Sequence, residues 1–141
     1  MTKKIITILT LLILTLSSWA QDASNLFRGK LVNKELEVVM VIDFYGQNLR
    51  VPQQEDVIGD VAGYLYYQHD GRKWLVVEAE VKGNTAFLTL INDYGSEDLT
   101  ATLTYQSDGS FVLKQEAGSS IKIVKNRKWV KLPKKIAFKK N

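Results

Sequence analysis

Residues 99–105 have the sequence Leu-Thr-Ala-Thr-Leu-Thr-Tyr, and this stretch decides the fold class. Apolar or aromatic residues alternate in it with threonine, which is the period of two expected of a β-strand with one buried face. β-Branched residues such as threonine also favour the strand conformation. The stretch therefore predicts a strand with one face on a hydrophobic core and the other in solvent.

Similar runs extend this prediction to most of the chain. Apolar residues share one face at positions 36, 38, 40, 42 and 44, and again at 75, 77, 79 and 81. The remaining candidate strands are 27–32, 63–68, 85–91, 111–115, 121–124, 128–132 and 135–138. Pairs such as Asp70-Gly71 and Asp108-Gly109 separate several of them and favour tight turns between antiparallel strands. Only residues 53–61 leave room for one short turn of helix.

The number and length of these runs predict an all-β domain. We expect an antiparallel meander of about eight to ten strands that forms a small barrel, because closure removes the unpaired edges of an open sheet. Closure would bring the last strands against residues 27–43. A two-layer β-sandwich is the alternative, since alternation along a strand does not distinguish a barrel from two packed sheets.

Two segments of the chain each have a similar segment further along the sequence. Residues 32–46 align without gaps on residues 81–95, and 67–71 align on 105–109. These matches predict two similar halves, about 27–76 and 77–124, followed by basic strands within 121–139, with extra residues in the first half within 49–63. A meander that reuses Tyr-Gly and Asp-Gly turns would give the same matches, so both interpretations stay open.

The first twenty residues have the features of a secretory signal peptide. Lys3 and Lys4 precede an apolar run at 5–16, which is shorter than the roughly 20 residues a membrane-spanning helix needs. Small residues at Ser18 and Ala20 predict cleavage after Ala20. We therefore expect a secreted protein, periplasmic or extracellular, that consists of a single all-β domain at 21–141 without a transmembrane segment. An uncleaved anchor helix is the alternative.

Composition argues against an enzyme. The chain has no cysteine and one histidine, which excludes a disulfide framework and a thiolate metal site and leaves little for a histidine-based one. We expect His69 to be an exposed turn residue, and the pairs Glu35/Glu37 and Glu78/Glu80 each to lie on one solvated strand face rather than to act as acid and base. No known catalytic motif is present. The sequence predicts no catalytic residue, metal site or cofactor.

Charge is distributed unevenly along the predicted mature chain. Residues 21–113 carry 7 basic and 14 acidic side chains, whereas residues 114–141 carry 10 basic side chains and one acidic. The basic stretch offers the candidate binding residues Lys125, Arg127, Lys128 and Trp129, which suit an anionic cell-surface component. Export argues against nucleic acid. The alternative is that these cations are solvated and lie beside Glu35, Glu37 and Asp43 of the first strands.

The extra segment at 49–63 is the second candidate binding region. Function is commonly carried by loops on a rigid scaffold. The segment could cover the barrel mouth as a lid, enter the cleft of an unknown partner protein, or be a surface excursion without function. Its candidate binding residues are Pro52, Gln53, Gln54, Glu55 and Asp56.

The export signal and the meander resemble the small secreted bacterial β-barrel proteins called lipocalin-like. That group contains ligand carriers and inhibitors of proteases and other enzymes. The tryptophan that lipocalins usually carry on their first strand is absent, since Phe27-Arg28-Gly29-Lys30 keeps only the glycine. The resemblance implies a binding protein and assigns no particular residue. Together with the extra segment, it leads us to expect a secreted, non-enzymatic binding protein, a protein-binding or inhibitor-like module that uses 49–63. A small-ligand carrier with an interior pocket is the alternative, which bulky residues such as Phe44, Tyr67 and Phe87 would exclude if they fill the barrel.

We expect the exported protein to begin at Gln21, because signal peptidase requires small residues such as Ser18 and Ala20 immediately before the cut. N-terminal sequencing or the intact mass of the exported protein measures this. A retained Met1 would contradict the prediction and favour the anchor helix.

Overall fold

The computed structural model describes residues 25–141 as ten β-strands. The predicted signal peptide at 1–20 lies outside the described residues. None of the residues from 25 to 141 belongs to a helix that is long and apolar enough to cross a membrane. The strands are β1 Arg28–Asn33, β2 Val38–Asp43, β3 Gly63–Tyr67, β4 Lys73–Lys82, β5 Thr85–Asn92, β6 Asp98–Tyr105, β7 Phe111–Gly118, β8 Lys122–Lys125, β9 Lys128–Lys131 and β10 Lys135–Lys140.

Eight of these strands form a closed antiparallel barrel in the order β1-β10-β7-β6-β5-β4-β3-β2. β10 closes it by pairing with β7 on one side and with β1 on the other, where Leu31 lies opposite Lys140. β8 and β9 form a separate hairpin. The predicted small barrel is therefore confirmed over the sandwich, and residues 53–61 form turns rather than a turn of helix.

Large side chains fill the barrel interior. Phe27 packs against Phe44 and Phe111, with ring centroids 5.7 and 5.9 Å apart. Tyr67 is also inside, whereas Phe87 is on the outer face and 48% exposed. The largest fully buried side chains are Phe27, Phe111, Phe138, Leu31, Met40, Ile42, Leu65, Leu90, Leu103, Leu113, Ile121 and Ile136. The interior is a packed core.

The inward face is as predicted in β2 and different in β4. Val38, Met40 and Ile42 all lie in the core. In β4 the pairing with β5 slips between Val76 and Glu78, so Val77 is an extra residue of a β-bulge. A bulge shifts the alternation by one. Val76 is therefore buried before the bulge and Ala79 faces the core after it, and the expectation that 75, 77, 79 and 81 share a face is wrong.

The two glutamate pairs differ in position. Glu78 and Glu80 are exposed together on the outer face of β4, as predicted. Glu35 and Glu37 instead lie in the turn between β1 and β2, where Glu37 has a φ of 57°. The Asn33 side-chain oxygen accepts a hydrogen bond from the Leu36 N–H at 2.8 Å and stabilises this turn. The predicted strand face for Glu35 and Glu37 is therefore wrong.

The longer internal match does not keep the inward faces of the strands in register. Aligning 32–46 on 81–95 places the core residue Ile42 on Ile91, which lies on the outer face. The shorter match reflects common turn chemistry, because Asp70 and Asp108 each accept a hydrogen bond from the backbone N–H two residues later, at 3.3 and 2.9 Å. Turn chemistry therefore accounts for the shorter match, and the two similar halves stay a prediction.

Replacing Gly118 by alanine should destabilise the barrel more than the same change at Gly83. Both glycines have positive φ, 96° and 63°, but a Cβ on Gly118 would lie 2.6 Å from the Asp98 carbonyl oxygen, whereas nothing lies within 4 Å of one on Gly83. We expect a loss of unfolding free energy of about 1 kcal/mol for Gly83→Ala and about 2–4 kcal/mol for Gly118→Ala. Urea denaturation measures both, and equal losses would contradict the assigned contact.

Candidate functional site

The β8–β9 hairpin crosses one end of the barrel. Consecutive barrel strands are antiparallel, so the β1–β2, β3–β4, β5–β6 and β7–β10 connections all emerge at that end. The hairpin belongs to the last of these connections, yet β8 contacts β3, which lies opposite β7 in the strand order. The hairpin therefore spans the barrel mouth.

The base of the hairpin is part of the core. Ile121, Ile123 and Leu132 are buried and belong to the same cluster as the barrel interior. The indole N–H of Trp74 on β4 donates a hydrogen bond to the Lys122 carbonyl at 3.0 Å. Burial of apolar side chains and this hydrogen bond fix the hairpin on the barrel.

Gln115 on β7 joins the barrel wall to both ends of the hairpin. It is the only buried polar side chain in residues 25–141, with 7% exposure. Its Oε1 accepts the Ile121 N–H at 2.8 Å, and its Nε2 donates to the Pro133 carbonyl at 3.0 Å. Its backbone N–H donates to the Lys134 carbonyl at 2.9 Å. One amide side chain therefore bonds the residues on both sides of the hairpin, Ile121 before it and Pro133 after it.

The tip of the hairpin carries the predicted basic residues. Asn126 and Arg127 have φ values of 54° and 64°, as in the two-residue turns that suit hairpins. Lys125, Arg127 and Lys128 are exposed, and no carboxylate of residues 25–141 lies within ion-pair distance of them.

The cations of the hairpin tip are solvated, as the alternative interpretation states, but none of them forms an ion pair with Glu35, Glu37 or Asp43. Glu37 pairs with His69, which is an exposed turn residue as expected, and Asp43 pairs with Arg28 at 3.3 Å. Barrel closure does bring the chain's last strand to β1, but that strand is β10. The basic hairpin leaves the barrel wall before β10 begins, so it does not lie beside β1 in the sheet.

Trp129 lies on the outer face of the hairpin and is 63% exposed. The guanidinium of Arg72, from the β3–β4 loop, sits 5.3 Å from the centre of its ring. The hydrogen bond from Arg72 to Asp70, at 2.8 Å, raises the pKa of the guanidinium, and the nearby Tyr94 hydroxyl acts in the same direction. Arg72 is therefore a charged residue that joins its own β3–β4 loop to Trp129 on β9 and to Tyr94 in the β5–β6 connection.

Two lysines accompany Trp129. Lys131 is two residues further along β9 and so on the same face, and Lys122 is its cross-strand partner on β8. The Lys122 ammonium pairs with Glu97 at 2.8 Å. Glu97, Lys122, Trp129 and Lys131 line a surface groove. We call Glu97, Lys122, Trp129 and Lys131, together with Arg72 and Tyr94 beside Trp129, the hairpin groove.

Of the hairpin groove, the sequence pattern points only to Trp129. Arg72, Tyr94 and Glu97 lie far from the basic stretch along the chain, and nothing distinguishes Lys122 and Lys131 from the other cations of residues 114–141. The antiparallel meander itself contained the signal, because alternate connections of a barrel emerge at the same end.

The segment 49–63 packs on the outer wall of the barrel and does not cover its mouth. Leu49 pairs with Val61 in an isolated bridge, and Val51 is fully buried against Tyr64 and Leu75 on the outer faces of β3 and β4. This burial raises the pKa of Tyr64. Of the interpretations considered for this segment, the lid is therefore wrong.

The candidate residues of this segment form its exposed part. Exposed side chains belong to Pro52, Gln53, Glu55 and Asp56. Gln54 is half-buried, and its backbone carbonyl accepts hydrogen bonds from the N–H groups of Val57 and Ile58. Among residues 25–141, no hydrogen bond or ion pair joins this segment to the hairpin. The two predicted binding regions are therefore separate surfaces.

Comparisons with protein families, curated proteins and solved structures find no match for this chain. The lipocalin-like resemblance thus depends on the strand pattern, and its functional implications stay predictions. In residues 25–141, no group of three or more His, Cys, Asp or Glu side chains is arranged to hold a metal ion.

Replacing Gln115 by leucine should loosen the hairpin. The change leaves the buried Ile121 N–H without its acceptor, at a cost of about 1–3 kcal/mol in unfolding free energy. It also removes the donor to the Pro133 carbonyl, which belongs to an exposed residue and can bind water instead. Hydrogen exchange at 121–132 should accelerate in Gln115→Leu before global unfolding, and unchanged exchange would contradict the anchoring role.

Proposed function

We propose that this protein is an exported, non-enzymatic binding protein that holds an anionic partner at the tip of the β8–β9 hairpin. The observation that carries the proposal is the set of cations at Lys125, Arg127 and Lys128, which no carboxylate of residues 25–141 neutralises. Neighbouring like charges repel one another, and an anionic partner relieves that repulsion.

The construction of the hairpin supports this proposal. A two-residue turn holds the tip, and buried residues and Gln115 hold the base. A surface that is ordered before binding loses less conformational entropy when the partner arrives. Lys125 and Lys128 are cross-strand neighbours, so their charges converge on one side of the turn.

The packed interior supports binding outside the barrel rather than inside it. Phe27, Phe44 and Tyr67 occupy the space in which a carrier would hold its ligand, and the base of the hairpin crosses one mouth. A small-ligand carrier would require these side chains to move. The carrier alternative therefore has less support than an external surface.

The segment 49–63 is a second candidate, for a protein partner. Val57 is 88% exposed at its apex, while Val51 and Val61 anchor its ends on the barrel wall. A rigidly held loop with an exposed apolar apex flanked by Glu55 and Asp56 suits an inhibitor-like contact with a basic, partly apolar protein surface.

The first test uses inorganic polyphosphate, which presents negative charge without any other recognition feature. We expect binding that weakens with added salt, and a decrease in affinity of about tenfold or more when Lys125, Arg127 and Lys128 are all changed to Gln, because three nearby attractions are lost. The matched control changes Lys30, Lys135 and Lys139, three exposed cations of the barrel wall, to Gln.

The comparison separates local from overall charge. The control variant loses the same net charge as the tip variant but keeps Lys125, Arg127 and Lys128. If local charge at the tip binds the anion, the control should bind within about twofold of the unmodified protein. Equal weakening by both variants would mean that net charge alone attracts the anion and would overturn the tip assignment. For the second candidate, Val57→Asp should abolish capture of a protein partner and leave polyphosphate binding unchanged.

A further inference from the structure

We propose that the hairpin groove binds an acidic polysaccharide, with a sugar ring stacked on Trp129 and a carboxylate or sulfate group on Lys131. This inference rests on the proposed function and names the class of its anionic partner. It extends the binding surface from the tip cations to the outer face of the same hairpin.

Trp129 supplies the stacking surface. The guanidinium of Arg72 covers one side of its ring, yet the residue remains 63% exposed, so much of the indole faces solvent in a fixed orientation. The C–H faces of sugar rings pack on aromatic rings, and a ring that is already held loses little freedom on binding. Tyr94, 73% exposed beside Arg72, offers a second aromatic ring close by.

The lysines supply the recognition of charge. Lys131 shares a strand face with Trp129 at a spacing of two residues, about 7 Å, which is comparable with the distance from the centre of a sugar ring to a charged substituent of its neighbour. Lys131 forms no ion pair with a carboxylate of residues 25–141, whereas Lys122 is paired with Glu97. Lys131 is therefore the cation available to an incoming anionic group.

The turn lies at the end of this surface. Lys125 and Lys128 are the cross-strand pair next to the turn and share the face opposite to that of Trp129, so the cation that continues the outer face is Arg127 in the turn. An extended chain lying along the hairpin would meet Lys131, Trp129 and then the turn with Arg127. A polymer with a negative charge on every residue or every second residue matches such a row of cations with an aromatic ring among them.

A flat anionic membrane fits this end of the barrel less well. The connections around the hairpin carry Glu35, Glu37, Asp70, Asp93 and Glu97. These carboxylates would approach a planar anionic surface together with the cations and be repelled by it. The tip itself, Lys125–Asn126–Arg127–Lys128, has no apolar side chain to insert into lipid. A single polymer strand contacts the hairpin without facing the whole end.

The test compares three kinds of probe, which are acidic oligosaccharides, a sugar-free polyanion and an anionic membrane. A heparin-derived oligosaccharide and an oligogalacturonate present acidic sugars, inorganic polyphosphate presents charge without sugar rings, and phosphatidylglycerol vesicles present a planar anionic surface. Affinities come from calorimetry for the oligomers and from co-sedimentation for the vesicles. In the chain that begins at Gln21 the tryptophans are Trp74 and Trp129, and only Trp129 is exposed, so protection of the fluorescence from a soluble quencher gives an independent signal of binding at Trp129.

We expect Trp129→Ala to weaken binding of at least one acidic oligosaccharide about tenfold and to change polyphosphate binding less than about threefold. Trp129→Phe should restore part of the affinity, because it keeps an aromatic ring. Lys131→Gln should weaken the same oligosaccharide. Trp129 is exposed, and an unchanged thermal unfolding curve would exclude a folding defect in the alanine variant.

The outcomes separate the two proposals. If the tip variant weakens polyphosphate binding but Trp129→Ala has no selective effect on sugars, the glycan inference fails and the proposed function stands. If the tip variant binds polyphosphate as well as the barrel-wall control does, the proposed function fails. Vesicle binding that is stronger than oligosaccharide binding and depends on Trp129 would replace the glycan by a membrane.

Discussion

The pairing of β10 with both β1 and β7 is the constraint on which the rest of the structure depends. Without β10 the sheet would have two unpaired edges, each exposing backbone N–H and C=O groups that favour association with other chains. Hydrogen bonds beyond the strand ladder secure the seam, from the Asn33 side chain to the Ala137 carbonyl at 2.8 Å and from the Asn141 N–H to the Lys30 carbonyl at 2.9 Å. Closure also gathers the alternate connections, and with them Arg72, Tyr94 and the hairpin, at one end.

Much of this fold follows from local pattern, because each strand buries one face. The period of two located all ten strands to within a few residues and gave the inward face of β2 correctly. The period of two did not predict the bulge at Val77, because an extra residue in β4 is recognisable only from its pairing with β5. The turn at Glu35 and Glu37 was not predicted either. The sequence alternation continues through residues 34–37, but the hydrogen bond from the Leu36 N–H to the Asn33 side chain stabilises a turn there.

The candidate site divides in the same way. Lys125, Arg127, Lys128 and Trp129 are consecutive or nearly so, and their composition was visible along the chain. Arg72 and Tyr94 join them only through the geometry of the barrel. Gln115 gave no signal at all, because one glutamine in a strand is ordinarily a solvated residue. Its role arises from burial beneath the ends of the hairpin, a tertiary property.

The hairpin joins two residue populations with different constraints. Its base shares the core with the barrel, so substitutions at Ile121, Ile123 or Leu132 affect the whole fold. Its tip touches no part of that core, and residues 125–128 can change without disturbing it. Specificity can therefore diverge between descendants of this chain, or be grafted by exchange of a four-residue turn, while the barrel retains its stability.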